Sequence, residues 1–195
     1  MFNRFLLGSL LFLSACQNKK KAFVNTNSSH IPQVQIGDTA SNFFPVSSYL
    51  KGEIFSIKTS GITPIKKTTI GKKIDSVYVK ETDFEKTFSA FLSPVIDTVN
   101  LKKTFNEKRF LDQTLNAFTF TYDPTSGQEN SFAFTHWDVY VDPETNKVSR
   151  IYLTKKVDSD TKLLLTWQSQ KWCKIVTVKN ASIIKEEKIS WTYEE

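Results

Sequence analysis

The chain has 195 residues, 26 Lys and Arg against 20 Asp and Glu for a net charge of +6, and is 39% hydrophobic and 13% aromatic. That length suits one compact domain. The basic surplus lies in scattered pairs, Lys66-Lys67, Lys72-Lys73, Lys102-Lys103 and Lys155-Lys156, instead of on one element among stacking aromatics, which argues against nucleic acid as a partner. Six glycines, none in a phosphate-cradling arrangement, argue against nucleotide chemistry. Two histidines and two cysteines leave no usual zinc set, so neither a cofactor nor a metal is expected.

The chain opens with Met1-Phe2-Asn3-Arg4, carrying one positive charge, and continues through the apolar run Phe5-Leu6-Leu7-Gly8-Ser9-Leu10-Leu11-Phe12-Leu13. This is the layout of a signal peptide. A permanent transmembrane helix takes about 20 apolar residues, and the run stops well short of that. Leu13-Ser14-Ala15-Cys16 resembles the lipobox of bacterial lipoproteins, in which small residues before a cysteine admit the lipid-modifying enzyme and its signal peptidase. The resemblance implies a diacylglycerol thioether on Cys16, cleavage between Ala15 and Cys16, and usually a third acyl chain on the new amino terminus. One acyl chain binds membranes marginally, but each buried methylene contributes about 0.8 kcal/mol, so two or three chains anchor stably. A secreted protein cut by the ordinary signal peptidase, with Cys16 incidental, is the competing reading. Charge, apolar length and cysteine position together favour lipidation.

Gln17 follows the cysteine where the best-studied inner-membrane lipoproteins carry aspartate. By that analogy the lipid lies in the outer membrane and the body faces the periplasm. Residues 1–15 are thus expected to be the signal peptide. Residues 16–38, polar and without apolar periodicity, are read as the lipidated cysteine and a flexible tether. Residues 39–195 form a single α+β domain, with two similar halves at about 41–98 and 99–195 as a variant, since helix followed by meander occurs twice. With Cys16 lipidated only Cys173 remains, which excludes an intramolecular disulfide; its strand-like setting predicts a buried, inert thiol.

Ser41-Asn42-Phe43-Phe44-Pro45-Val46 reads as a helix start with Gly52 as its stop, predicting a helix over 43–51. Stretches 53–59, 63–70 and 73–80 are rich in Ile, Val and Thr and read as strands. Thr82-Asp83-Phe84-Glu85 has the spacing of a capping box. Phe84, Phe88, Phe91, Leu92 and Val95 then form one apolar stripe, which Pro94 should bend or end. A weaker helix is expected over 100–109, showing Leu101 and Phe105. A meander follows: Phe118, Phe120 and Tyr122 alternate with threonines, then strands are expected over 132–141, 148–157, 163–168 and 172–179, and a last one alternates Ile189, Trp191 and Tyr193. Connections this short make neighbours antiparallel. The fold class predicted is α+β, a curved antiparallel β-meander packed around one or two helices. In element order alone this resembles the half-barrel-and-helix build of periplasmic lipoprotein carriers and several small envelope lipoproteins.

His136-Trp137-Asp138 places an imidazole and a carboxylate on one strand face, but no Gly-x-Ser-x-Gly elbow supplies a nucleophile. The other histidine, His30, falls in the tether. Asp158-Ser159-Asp160 has alternate carboxylates yet lacks the glycine and terminal glutamate of a calcium loop, and reads as a turn. Asp138, Asp142 and Glu144 lie at a strand end, where a turn is the simplest role. No catalytic residue is assigned, and the only site residue is Cys16, for lipid attachment. The function this supports is a membrane-anchored, non-enzymatic binding or scaffolding module of the cell envelope. Its partners are the membrane through the lipid, and an envelope protein or an apolar ligand. A carrier of an apolar ligand or acyl chain is the first alternative, favoured if a cavity lies between the sheet and the Phe84 helix. An envelope hydrolase is the second.

Overall fold

A computed structural model describes residues 43–97 and 99–192. The described part begins with helix α1 (Val46–Thr59). A hairpin, β1 (Ile65–Ile70) and β2 (Lys73–Tyr78), comes next. A 3-10 turn at Glu81–Asp83 then leads into helix α2 (Phe84–Leu92). A second 3-10 turn, Val99–Lys103, precedes seven strands. These are β3 (Phe105–Asp112), β4 (Ala117–Pro124), β5 (Phe134–Val141), β6 (Val148–Lys156), β7 (Thr161–Gln168), β8 (Trp172–Lys179) and β9 (Ser182–Ser190). All nine strands form one curved, open antiparallel sheet in the order β2-β1-β9-β8-β7-β6-β5-β4-β3. No helix among the described residues is long and apolar enough to cross a membrane.

Strand alternation sorts the sheet into two faces. Trp137, Val139 and Val141 of β5, Ile151 and Leu153 of β6, Leu165 and Trp167 of β7, Cys173 of β8 and Ile189 of β9 are buried in one cluster with Leu50 of α1 and Phe88 and Phe91 of α2. Phe88 and Phe91 meet the Trp167 ring edge-on at centroid distances of 5.6 and 5.4 Å, and Trp167 lies 5.0 Å from Trp191. Burying a large apolar side chain contributes about 1.5–3 kcal/mol, and edge-to-face aromatic pairs add about 0.5–1.5 kcal/mol. This aromatic knot is therefore the main adhesive between α2 and the sheet.

Polar contacts orient the helices. Pro45 gives α1 no side-chain cap; instead Asp97, from the segment after α2, accepts from the Ser47 amide at 2.9 Å and from the Ser48 hydroxyl. The Ser47 hydroxyl in turn accepts from the Ile96 amide. A carboxylate there complements the helix dipole as well as the open amides. Lys155 reaches from β6 to the Ala90 and Ser93 carbonyls at the carboxy-terminal end of α2, where a cation is favourable. Burial lowers the ammonium pKa of Lys155.

Four expectations are corrected. The helix at the amino-terminal end does not stop at Gly52 but runs to Thr59, so residues 53–59 are helix and not strand. Glu53 is buried on its inner side because it accepts from Trp167 Nε1 at 3.3 Å and the Gln170 amide at 3.1 Å. Thr82 makes no capping bond: residues 81–83 form the 3-10 turn, α2 starts at Phe84, and Val95 lies past its end, exposed. Residues 105–109 are not helix, since only Val99–Lys103 turns and Phe105 opens edge strand β3. The last strand begins at Ser182 and ends at Ser190, leaving Trp191 just beyond it; Tyr193 falls outside the described residues.

Candidate functional site

The apolar stripe of α2 is narrow. With Phe84, Phe88 and Phe91 turned to the aromatic knot, Lys86, Thr87 and Ala90 border a cleft between this helix and the sheet. Its other wall comes from β7, β8, β9 and the β1–β2 hairpin, and its volume is about 520 Å³. Small-molecule sites commonly measure about 300–1,000 Å³. Val79, Ile175 and Ile189 form a buried apolar floor, and Leu163 adds a partly buried wall. Charges sit above it: Glu187 of β9 is 2.9 Å from Lys185 and 3.8 Å from Lys66, while Asp83 and Lys86 stand on the helix side. The arrangement can hold a ligand with an apolar part and a polar end.

Sequence reasoning missed every charged residue of this cleft. Lys185-Glu186-Glu187-Lys188 is a charged run assigned to no element by its sequence; pairing puts it inside β9, with Glu187 opposite Thr68 and Ile175. The only signal was its period: Lys185 and Glu187 share a face with Ile189.

The structure does bring His136 and Asp138 together, with both nitrogens of the imidazole occupied by carboxylates. On the opposite face of the sheet from the knot, His136 Nδ1 lies 2.8 Å from Asp123 Oδ1 and Nε2 lies 3.0 Å from Asp138 Oδ2. The Thr121 hydroxyl donates to Asp138 at 2.6 Å, and the Tyr140 hydroxyl donates to the same carboxylate at 3.3 Å. The Asp138 contact raises the His136 pKa to about 9, with Asp123 adding to it against the opposing effect of burial. Burial would raise the Asp138 carboxyl, but the bonds from His136 and Thr121 carry it below its ordinary value. Burial and Asp138 push the Tyr140 phenol up to about 12. With both ring nitrogens facing carboxylates, His136 is a fixed imidazolium and offers no free nitrogen to a substrate proton.

The other flagged residues take local roles. Asp158 Oδ1 accepts from the Asp160 and Thr161 amides at 2.9 and 2.8 Å, which lowers its pKa and makes the segment a turn. Asp142 does the same for the Glu144 and Thr145 amides. Among the described residues no cluster of His, Cys, Asp and Glu is placed to hold a metal. Cys173 is fully buried, and burial raises its thiol pKa well above the ordinary value. Cys16 and His30 lie outside the described residues.

No protein-family model, curated protein or solved structure matches the chain.

Proposed function

We propose that the chain is a lipid-anchored binding module of the bacterial envelope, held by lipid on Cys16 in the outer membrane and facing the periplasm, with the cleft between α2 and the sheet as its ligand seat. The cleft, about 520 Å³ with an apolar floor and a charged rim, is the observation that carries the binding half of this reading. The anchoring half rests on Leu13-Ser14-Ala15-Cys16. In this reading the sheet curves around α2 and the helix is one jaw of the seat. The fixed imidazolium of His136 supports a non-enzymatic role over a hydrolase.

Exposure along β2 favours a second reading, a scaffold. All six residues of this edge strand are exposed, Ile74, Val77 and Tyr78 among them, and an open edge can accept a partner's strand. Expression in a bacterial host with labelled palmitate tests the anchor: the parent chain takes up label and Cys16→Ala does not, and equal labelling refutes lipidation. Native mass spectrometry of the same Cys16→Ala chain tests the seat. A retained small molecule supports it, and a stoichiometric protein partner without one moves the assignment to the β2 edge.

A further inference from the structure

The charges and the floor of the cleft differ in depth, and that difference specifies a ligand. Val79 and Ile175 are 4% and 8% exposed and Ile189 is fully buried, so the deepest surface is aliphatic. Lys66, Lys86 and Lys185 lie higher, against only two acids, Glu187 and Asp83. Glu187 is shared between Lys66 and Lys185, so one carboxylate faces two ammonium groups. Among the described residues the Lys86 ammonium has no ion-pair or hydrogen-bond partner and sits exposed at the mouth. An apolar body placed on the floor leaves its polar end among a surplus of cations.

We infer that the cleft binds an amphiphile with an anionic carboxylate or phosphate head, its tail along Ile175, Leu163 and Val77 above the buried floor and its head at the rim against Lys86 and the Lys66–Glu187–Lys185 cluster. This rests on the reading of the cleft as the ligand seat and adds the sign of the head. The charge pattern discriminates against cationic amphiphiles by leaving like charges facing each other, while a neutral head gains no charge contact with Lys86. Depth fixes the polarity of insertion, because a charge carried to the aliphatic floor loses hydration without gaining a partner.

The test uses the full chain carrying Cys16→Ala, so that no attached lipid competes, titrated with monomeric dodecanoate, dodecyl phosphate, dodecanol and dodecyltrimethylammonium. Calorimetry gives the affinities, and methyl resonances of Ile175 and Leu163 report the location. The two anions should bind at least about fivefold more tightly than the cation, from about 1 kcal/mol per exposed charge contact. Lys86→Glu should weaken both anions by a similar factor while leaving dodecanol unchanged, and Lys86→Arg should restore them. A stronger phosphate than carboxylate response points to a phosphorylated head, the reverse to a fatty-acid head; either supports the inference. Equal affinities for anion and cation, or no effect of Lys86→Glu, overturn the head assignment while leaving the seat intact. Absence of binding by all four probes, or binding that leaves the Ile175 and Leu163 methyls unmoved, overturns the seat itself.

Discussion

Replacing His136 by Gln tests the fixed-imidazolium reading through the pH dependence of stability. The folded protein holds the His136 proton to about pH 9, against an ordinary value of 6.5. A pKa raised by folding stabilises fully below the unfolded value and is lost as pH rises through the folded one. Asp138 works at the other end: its lowered pKa contributes above the ordinary carboxyl range and is lost as pH falls through the folded value. The network is therefore strongest between about pH 4 and 6.5 and decays towards about pH 9. The rise to about 9 corresponds to at most about 3 kcal/mol. With the ring 31% exposed and Asp123 40% exposed, solvent screening reduces this to about 1–2 kcal/mol. Urea unfolding of the parent and of His136→Gln at about pH 6 and about pH 9.5 checks it. The parent should lose about 1–2 kcal/mol more than the variant across that interval. Parallel losses would refute the reasoning and return a titratable His136 to consideration as a functional group.

Three further outcomes are expected. Phe88→Ala removes the ring that touches Phe84, Trp167 and Trp191, and should cost about 3–5 kcal/mol in denaturant unfolding; a near-neutral value would place that face outside the core. Asp97→Ala takes away the carboxylate at the start of α1 and should cost about 0.5–2 kcal/mol, with hydrogen exchange quickening at the Ser47 amide; unchanged exchange there would mean that the amide is satisfied elsewhere. Ala181→Gly should stabilise by about 0.5–1 kcal/mol, because Asn180 and Ala181 both have positive φ in the two-residue turn between β8 and β9; destabilisation in calorimetric melting would mean the turn is not left-handed at Ala181.

The meander was legible because its strands alternate cleanly and its turns carry Asp, Asn, Pro and Gly. The strand expected over 172–179 matches β8, and the Phe118, Phe120, Tyr122 alternation marks one face of β4. The misreading of α1 comes from a polar residue made acceptable only by a distant partner. Glu53 interrupts the apolar face of α1 between Leu50 and Ile57, and nothing local announces that Trp167 and Gln170 will satisfy it. Gly52 then looks like a terminator, although an added Cβ there would meet nothing within 4 Å. Edge strand β3 hides its period because Glu107 and Arg109, which pair with each other, share the face of Phe105. A cavity between the sheet and the Phe84 helix is one alternative among the sequence expectations, but its charged rim is not among them, because it comes from α2, β1 and β9, which no local pattern joins.

The place of β1 beside β9 carries a consequence for how the protein is made. Ile65–Ile70 finds its second neighbour only in residues 186–190, near the other end of the chain. Glu53 of α1 likewise waits for Trp167 and Gln170. A chain delivered amino terminus first through a membrane would therefore expose α1 with Glu53 unsatisfied until Trp167 and Gln170 follow, and its β1–β2 hairpin with one side of β1 unpaired until the final strand emerges. Pairings this distant in sequence form late, because the intervening loop must close before the contact rewards it. The amino-terminal part is thus kept unfinished until the last strand is made, a property that would suit the export proposed above. Loss of the last strand would leave β1 and β2 with no sheet to join.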